Sequence, residues 1–270
     1  MTTFKLLVDS KHAKVFADLG SAARVDGPRL TRYVWEADEI APDIRGRILR
    51  VTEGGHTAFY LPVREWKAAF FDMDSTVIAQ ESIVELAKAA GKENEVALIT
   101  EQAMAGLLDF TSALRERVRM LSGLPDSVIA AVSKRLTINS GMTELGAFAK
   151  QKGIKLYLVS GGFNALASGI ARTLGFEGFI ANELDSENGV LTGNLRGTII
   201  NAESKALFLK ETCARLNIHL NDTLTIGDGA NDLLMMQASG AAIGYFPKKV
   251  LLPHLHGAIF HDHRDLIHVL

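Results

Sequence analysis

Asp72-Met73-Asp74-Ser75-Thr76 places two carboxylates one residue apart, directly after the apolar run Ala68–Phe71. Alone, such a pair can be a turn whose carboxylates cap backbone amides. Gly227-Asp228-Gly229-Ala230-Asn231-Asp232 follows a second apolar run, Thr223–Ile226. A helix cap needs one Asp or Asn, whereas this stretch carries Asp228, Asn231 and Asp232. If the two runs end side by side, Asp72, Asp74 and Asp228 crowd negative charge together, which is costly unless a cation or a proton balances it. Oxygen donors without Cys or His suit a hard ion, and Mg²⁺ best where a phosphate is handled too. Ser160-Gly161-Gly162 follows a third run, Ile154–Val159, and offers a hydroxyl and backbone N–H groups at a strand-to-helix turn. Glycine permits close approach, and a helix N-terminus favours an anion. Lys205 opens a helical stretch and adds a cation only if it is aimed at the same place.

Elements that could bring these groups together are legible. The apolar runs alternate with helical periodicity at Met142–Lys152, Asn164–Leu174, Ser204–Leu216 and Asp232–Ala238. That alternation predicts an α/β fold with a Rossmann-like parallel sheet covered on both faces, and chemistry at the carboxyl ends of the strands. Two segments interrupt it. Residues about 80–138 read as all-helical, with breaks near Gly91 and Leu124-Pro125, and they follow the first strand, where an inserted cap would cover a site. Residues about 179–200 carry Asn188-Gly189 between strand-like runs, a strong hairpin signal. Residues 1–66 suggest a small N-terminal α/β segment, with strands at Phe4–Val8 and Arg32–Trp35 and a helix over Lys11–Ala23. The expected organisation is therefore a segment 1–66 and a core 67–270, with the helical cap about 80–138 inserted.

In the cap, the expected helix Phe110–Leu121 has an apolar stripe of Phe110, Ala113, Leu114, Val118 and Leu121. Arg117 falls inside this stripe, three or four residues from Ala113, Leu114 and Leu121. A cation on a buried face needs an anionic partner. A structural carboxylate and a substrate carboxylate both qualify, the latter well matched by the planar guanidinium fork. Glu81 is either a first-turn helix carboxylate favoured by the dipole or a second recognition group.

Together the motifs resemble those of the haloacid dehalogenase-like phosphatases over about Lys67 to Leu270. Asp72–Thr76 matches the D-x-D-x-T motif, Ser160 the second, Lys205 the third, and Gly227–Asp232 the G-D-G-x-N-D form of the fourth. DMDSTVIAQE (Asp72–Glu81), DFTSALRERV (Asp109–Val118), VSGGF (Val159–Phe163) and GDGAND (Gly227–Asp232) narrow the resemblance to the phosphoserine phosphatase family. It implies hydrolysis of O-phospho-L-serine to L-serine and phosphate, the last step of serine biosynthesis. Asp72 would be the nucleophile and Asp74 the general acid and base. Mg²⁺ would be held by Asp72, the Asp74 carbonyl and Asp228. Ser160, Gly161 and Lys205 would hold the phosphoryl group, and Asn231 would touch substrate or phosphate. Asp232 would orient Lys205 or the metal shell. Glu81 would read the substrate amine and Arg117 its carboxylate. Phosphoryl transfer to an alcohol such as homoserine, or another small phosphorylated substrate, is the alternative within this chemistry.

The bulk numbers narrow the partners. A formal net charge of −2 gives no electrostatic reason for nucleic acid or an anionic membrane as partner. No apolar run approaches the ~18–20 residues of a membrane span, which argues against an aspartyl-phosphate ion pump. The N-terminus lacks the pattern of a signal peptide, and the single Cys213 cannot form an intrachain disulfide. The expectation is a cytoplasmic enzyme acting on a small molecule. Residues 1–66 are read as a packing or dimerisation element, so a homodimer is possible, with an amino-acid sensor as the alternative. His254, His256, His261, His263 and His268 lack the supporting ligands of a zinc site and are assigned structural or surface roles.

Overall fold

The computed structural model describes residues 1–25 and 29–270. The chain opens with strand β1 (Thr2–Asp9), a short 3₁₀ turn (Ser10–Phe16), β2 (Ser21–Val25), β3 (Leu30–Ala37), helix α1 (Pro42–Glu53) and β4 (Ala58–Pro62). Then come β5 (Ala68–Phe71) and the helices α2 (Ser82–Ala89), α3 (Glu93–Met104), α4 (Phe110–Arg119) and α5 (Ser127–Ser133). Next are α6 (Met142–Lys152), β6 (Lys155–Phe163), α7 (Asn164–Leu174), β7 (Gly178–Glu187), β8 (Val190–Arg196) and α8 (Ala202–Leu216). The chain ends with β9 (Thr223–Gly227), α9 (Leu233–Ala238), β10 (Ala241–Tyr245), β11 (Gly257–Ile259) and α10 (Arg264–Ile267).

All the strands join one eleven-stranded sheet in the order β2-β3-β1-β4-β11-β10-β9-β5-β6-β7-β8. From β11 to β7 the pairing is parallel. Every residue of β5 and of β9 is buried, as expected for parallel strands covered on both faces. The chain runs from β5 outward to β6 and β7, then returns to β9 on the other side of β5. That reversal opens a crevice at the carboxyl ends of β5 and β9, the place where open α/β sheets bind ligands.

The segment between β5 and α6 is helical, and it leans on the β7–β8 hairpin. Gly123 N–H donates to Leu191 O and Asp126 N–H to Gly189 O. The hairpin turns at Asn188 and Gly189, with φ of 52° and 79°. Both values lie in the left-handed region that a two-residue type I′ turn demands, and Asn-Gly meets it at little cost.

The N-terminal residues form an antiparallel sheet with its own apolar core, which includes Phe4, Leu6, Val8, Phe16, Tyr33, Ile44 and Ile48. β4 joins it to the parallel sheet through the antiparallel pairs Gly257↔Phe59 and Ala258↔Ala58. The expected helix over Lys11–Ala23 is not there. A 3₁₀ turn ends at Phe16, and Ser21–Val25 is a strand paired with β3. Gly20 explains the break, because a Cβ there would run into the carbonyl of Val34 on β3. Helix α1, which the sequence reading did not anticipate, starts with Pro at its first turn and buries Ile44, Ile48 and Val51.

Of the C-terminal histidines only His263 is buried, and it serves packing. His263 stacks on Tyr245 at 4.0 Å between ring centroids and bonds the Thr76 carbonyl oxygen at 2.9 Å. Burial pushes its pKa down to about 4. His261 lies beside Asp262 and Asp265, whose carboxylates are already paired with Arg264 and Arg29. Among the described residues no helix is long and apolar enough to cross a membrane.

Candidate active site

Asp72 ends β5, Ser160 lies within the end of β6 and Asp228 follows β9. Because these strands are adjacent and parallel, their carboxyl ends put the three residues around one crevice. Lys205, in the first turn of α8, is completely buried there. Its Nζ donates to Asp72 Oδ1 at 2.7 Å and to Asp232 Oδ1 at 2.8 Å. The other oxygen of Asp232 accepts the N–H groups of Asp228 and Gly229, at 3.2 Å each. Asp232 is thus fully committed to holding Lys205 and the turn after β9.

The electrostatics follow from burial. Burial and the Asp232 charge push the Asp72 pKa up to about 7, against the opposing pull of Lys205. Asp74 is held well above the carboxylate range, first by burial and then by Glu81, and Asp228 likewise. Burial works against the Lys205 charge, but Asp232 and Asp72 outweigh it and raise its pKa. One ammonium is too little charge for this many carboxylates. Ligand oxygens of Asp72, Asp228 and Asp232 lie within 4.8 Å of one another, and a buried Asp74 oxygen has no partner. The set is oxygen-only and suits a divalent cation.

The loop after β5 is shaped for its task. Ser75 has φ 54°, a left-handed backbone that costs a serine of order 1 kcal/mol. That turn lets the Ser75 hydroxyl donate to Glu81 at 2.5 Å. Glu81 lies at the start of α2, yet its side chain does not cap the helix. Asp74 accepts from Ser82 at 2.6 Å, and Thr76 donates to Asp228 at 3.2 Å. The Thr76 carbonyl is clamped by Asn139 at 2.7 Å and by His263.

Ser160 is fully buried, and its oxygen accepts the Gly162 N–H at 2.8 Å, which leaves its own hydrogen for an anion. Asn182 holds the Gly161 carbonyl at 2.8 Å. Gly161 has to be glycine, since a Cβ would sit 2.7 Å from the ring of Phe110 in the cap. At Gly229 a Cβ would collide with Met104, also from the cap. The cap therefore rests on the core loops. The cavity between them is about 30 Å³, lined by Asp72, Asp74, Glu81, Arg117, Ser160 and Asn231, among others. Such a space holds one or two waters.

Arg117 is only 4 % exposed. Its Nε donates to the Ala113 carbonyl at 3.1 Å and its Nη1 to the Thr100 hydroxyl at 2.8 Å. Both partners are neutral, and no carboxylate of the described residues comes within ion-pair distance. Burial lowers its pKa, opposed by Glu81 and Asp74. Asn231 is buried with its side-chain oxygen unpartnered.

The structure thus brings together Asp72, Asp74, Glu81, Arg117, Ser160, Gly161, Lys205, Asn231 and Asp228. The sequence reading missed Ser75, Ser82, Thr100, Met104, Phe110, Asn139 and Asn182. Met104 and Phe110 had a signal, being apolar residues at the ends of cap helices. The polar ones had none, because their roles rest on specific hydrogen bonds that no residue pattern announces.

A family model described as haloacid dehalogenase-like hydrolase matches residues 69–237. A phosphoserine phosphatase of Archaeoglobus fulgidus is 41 % identical over 196 residues, covering 73 % of this chain, which spans 57 % of that protein's length. A solved phospho-aspartyl intermediate analogue of phosphoserine phosphatase superposes with a TM-score of 0.74 at 35 % identity, covering 76 % of this chain and 99 % of that one. A hydrolase of the same family from Salmonella enterica serovar Typhi superposes with a TM-score of 0.85 at 27 % identity, covering 99 % of this chain and 98 % of that one.

Proposed function

The chain belongs to the haloacid dehalogenase-like hydrolases, and from that premise we propose that it is a phosphoserine phosphatase. It hydrolyses O-phospho-L-serine to L-serine and phosphate, which places it at the last step of serine biosynthesis, in the cytoplasm. The observation that carries the substrate assignment is Arg117. A buried guanidinium with two neutral partners and no carboxylate is costly as it stands. A substrate carboxylate offsets that cost through paired, charge-assisted hydrogen bonds. Glu81 faces the same cavity and provides the counter-charge for the substrate ammonium.

The chemistry is assigned to Asp72 and Asp74. The Asp72 carboxylate attacks phosphorus and forms an aspartyl phosphate, while the bond to the serine oxygen breaks. Asp74, whose raised pKa favours the protonated form, gives its proton to that oxygen. Then Asp74 takes a proton from water as the water attacks phosphorus, and the Asp72 carboxylate is released. The Ser160 hydroxyl, the Gly161 N–H and Lys205 meet the phosphoryl oxygens and the charge that develops on them. Asn231, with its free side-chain oxygen, reaches substrate or phosphate. Asp72, the Asp74 carbonyl and Asp228 are the groups to hold Mg²⁺, which when bound offsets the repulsion between nucleophile and phosphate. Residues 67–270 form the catalytic unit in this reading, with the cap at about 80–138 and a separate role for residues 1–66. A cavity of about 30 Å³ does not admit phosphoserine, so the cap has to lift for substrate to enter.

The test is phosphate release with Mg²⁺ across L-phosphoserine, phosphothreonine, phosphoethanolamine and a sugar phosphate. A strong kcat/KM preference for phosphoserine is expected. An even spread, or a peak on a substrate lacking amine or carboxylate, would keep the aspartyl chemistry and remove the assignment to phosphoserine.

A further inference from the structure

A second cavity, of about 220 Å³, lies where the N-terminal sheet meets the parallel sheet. Arg45, Ile48 and Thr52 of α1, Tyr60 of β4, and His254 and His256 near β11 line it. No aspartate or glutamate lines it. Three hydrogen-bond donors in this lining have no protein partner among the described residues. Tyr60 is 4 % exposed, and its hydroxyl makes no hydrogen bond. His256 accepts the Ala242 N–H at Nδ1, 3.1 Å away, so its ring hydrogen sits on Nε2, which bonds nothing. Arg45 enters no ion pair. Elsewhere in the molecule most arginines are tied to carboxylates or carbonyls, as Arg47 is to Asp18 and Asp43.

A hydroxyl, a neutral imidazole N–H and an exposed guanidinium around one solvent-reached space, with no acid in the lining, are a complement for negative charge. We propose that this cavity binds a small oxyanion, a carboxylate or a phosphate group, held by Arg45, Tyr60 and His256. The site spans the seam. Arg45 and Tyr60 belong to the N-terminal segment and His256 to the C-terminal part of the core, and only two residue pairs join β4 to β11 there. A bound anion adds a polar contact across that seam, beside the Arg29–Asp265 pair and the apolar packing of Leu7, Leu30 and Leu61. Neutrality suits His256 to this role: burial and the nearby Arg45 push its pKa down to about 4, so that Nδ1 stays an acceptor for Ala242 while Nε2 keeps a hydrogen to donate.

The experiment uses the full chain with Mg²⁺, isotopically labelled, titrated separately with acetate and with inorganic phosphate by NMR. Saturable shifts are expected at the Tyr60 and His256 rings. Arg45→Gln, an exposed position, should weaken that binding by about tenfold while leaving phosphoserine turnover unchanged. Tyr60→Phe removes only the hydroxyl and should weaken it too. Response to acetate alone assigns a carboxylate ligand, and response to phosphate alone a phosphate group. Shifts confined to Gly161 and its neighbours, no saturable shift at all, or shifts undiminished in both variants would overturn the proposal. None of these outcomes bears on the catalytic reading.

Discussion

The strand ends of the core and the inner face of the cap both bury charge, and they manage it differently. In the core, Lys205 is locked between Asp72 and Asp232, and Asp232 is locked in turn by backbone N–H groups. In the cap, Arg117 is held in place by Thr100 and a carbonyl, with no carboxylate at ion-pair distance and only the longer-range pull of Glu81 and Asp74. The core charges therefore form a network that can pre-organise chemistry, with oxygen donors that suit a cation. The cap charge is oriented but only distantly balanced, which suits the recognition role proposed for it. The proposed function puts chemistry on the core and selectivity on the cap, so substitutions should separate them.

Lys205→Met should break the core network most severely. Removing one member of a buried charge set costs about 3–5 kcal/mol, visible in urea unfolding. A stability within about 1 kcal/mol of wild type would mean the network contributes little. Arg117→Ala should lower kcat/KM for phosphoserine by about 10²–10³-fold, the scale of a lost buried charge pair. A generic aryl phosphate should lose far less, and equal losses on both would remove Arg117 from recognition.

Metal and proton should compete in the core but not in the cap. Burial raises the Asp72, Asp74 and Asp228 pKa values, Asp72 to about 7. A carboxylate with a raised folded-state pKa stabilises the fold below its unfolded value, and that contribution is lost as pH rises through the folded value. Mg²⁺ needs the deprotonated forms, so the rise in Tm that it produces should grow between pH 5 and pH 8. A rise independent of pH over that window would place the ion elsewhere. The smallest effect expected is that of Thr100→Val. It should raise KM for phosphoserine by about tenfold, the value of one hydrogen bond to a charged group, with kcat nearly unchanged. Thr100→Ser should restore it, and a fall in kcat on every substrate would instead make Thr100 a packing residue.

How far the sequence reached follows the same division. Asp72, Ser160 and Asp228 were legible because strand ends in a parallel sheet converge by topology. Arg117 was legible because a cation in an apolar stripe violates the helix pattern. Thr100 was not, since a threonine facing its own helix backbone looks ordinary until Arg117, seventeen positions away, is seen to donate to it. His263 braces the Thr76 carbonyl across 187 positions, and no local pattern announces that. In the N-terminal segment the strand at Ser21–Val25 overrode an expected helix because pairing with β3 outweighs the helical propensity of Ala22, Ala23 and Arg24. Helix α1 did have a local signature, Pro42 ahead of Ile44, Ile48 and Val51.

The Asp72 carboxylate as nucleophile is the centre of the proposed reaction. The direct test is turnover of L-phosphoserine by Asp72→Asn, with the fold checked by circular dichroism. The amide is nearly isosteric but a poor nucleophile, so a folded protein with kcat reduced by ~10⁴-fold or more is predicted. A folded Asp72→Asn protein that turns over phosphoserine near the wild-type rate would contradict it.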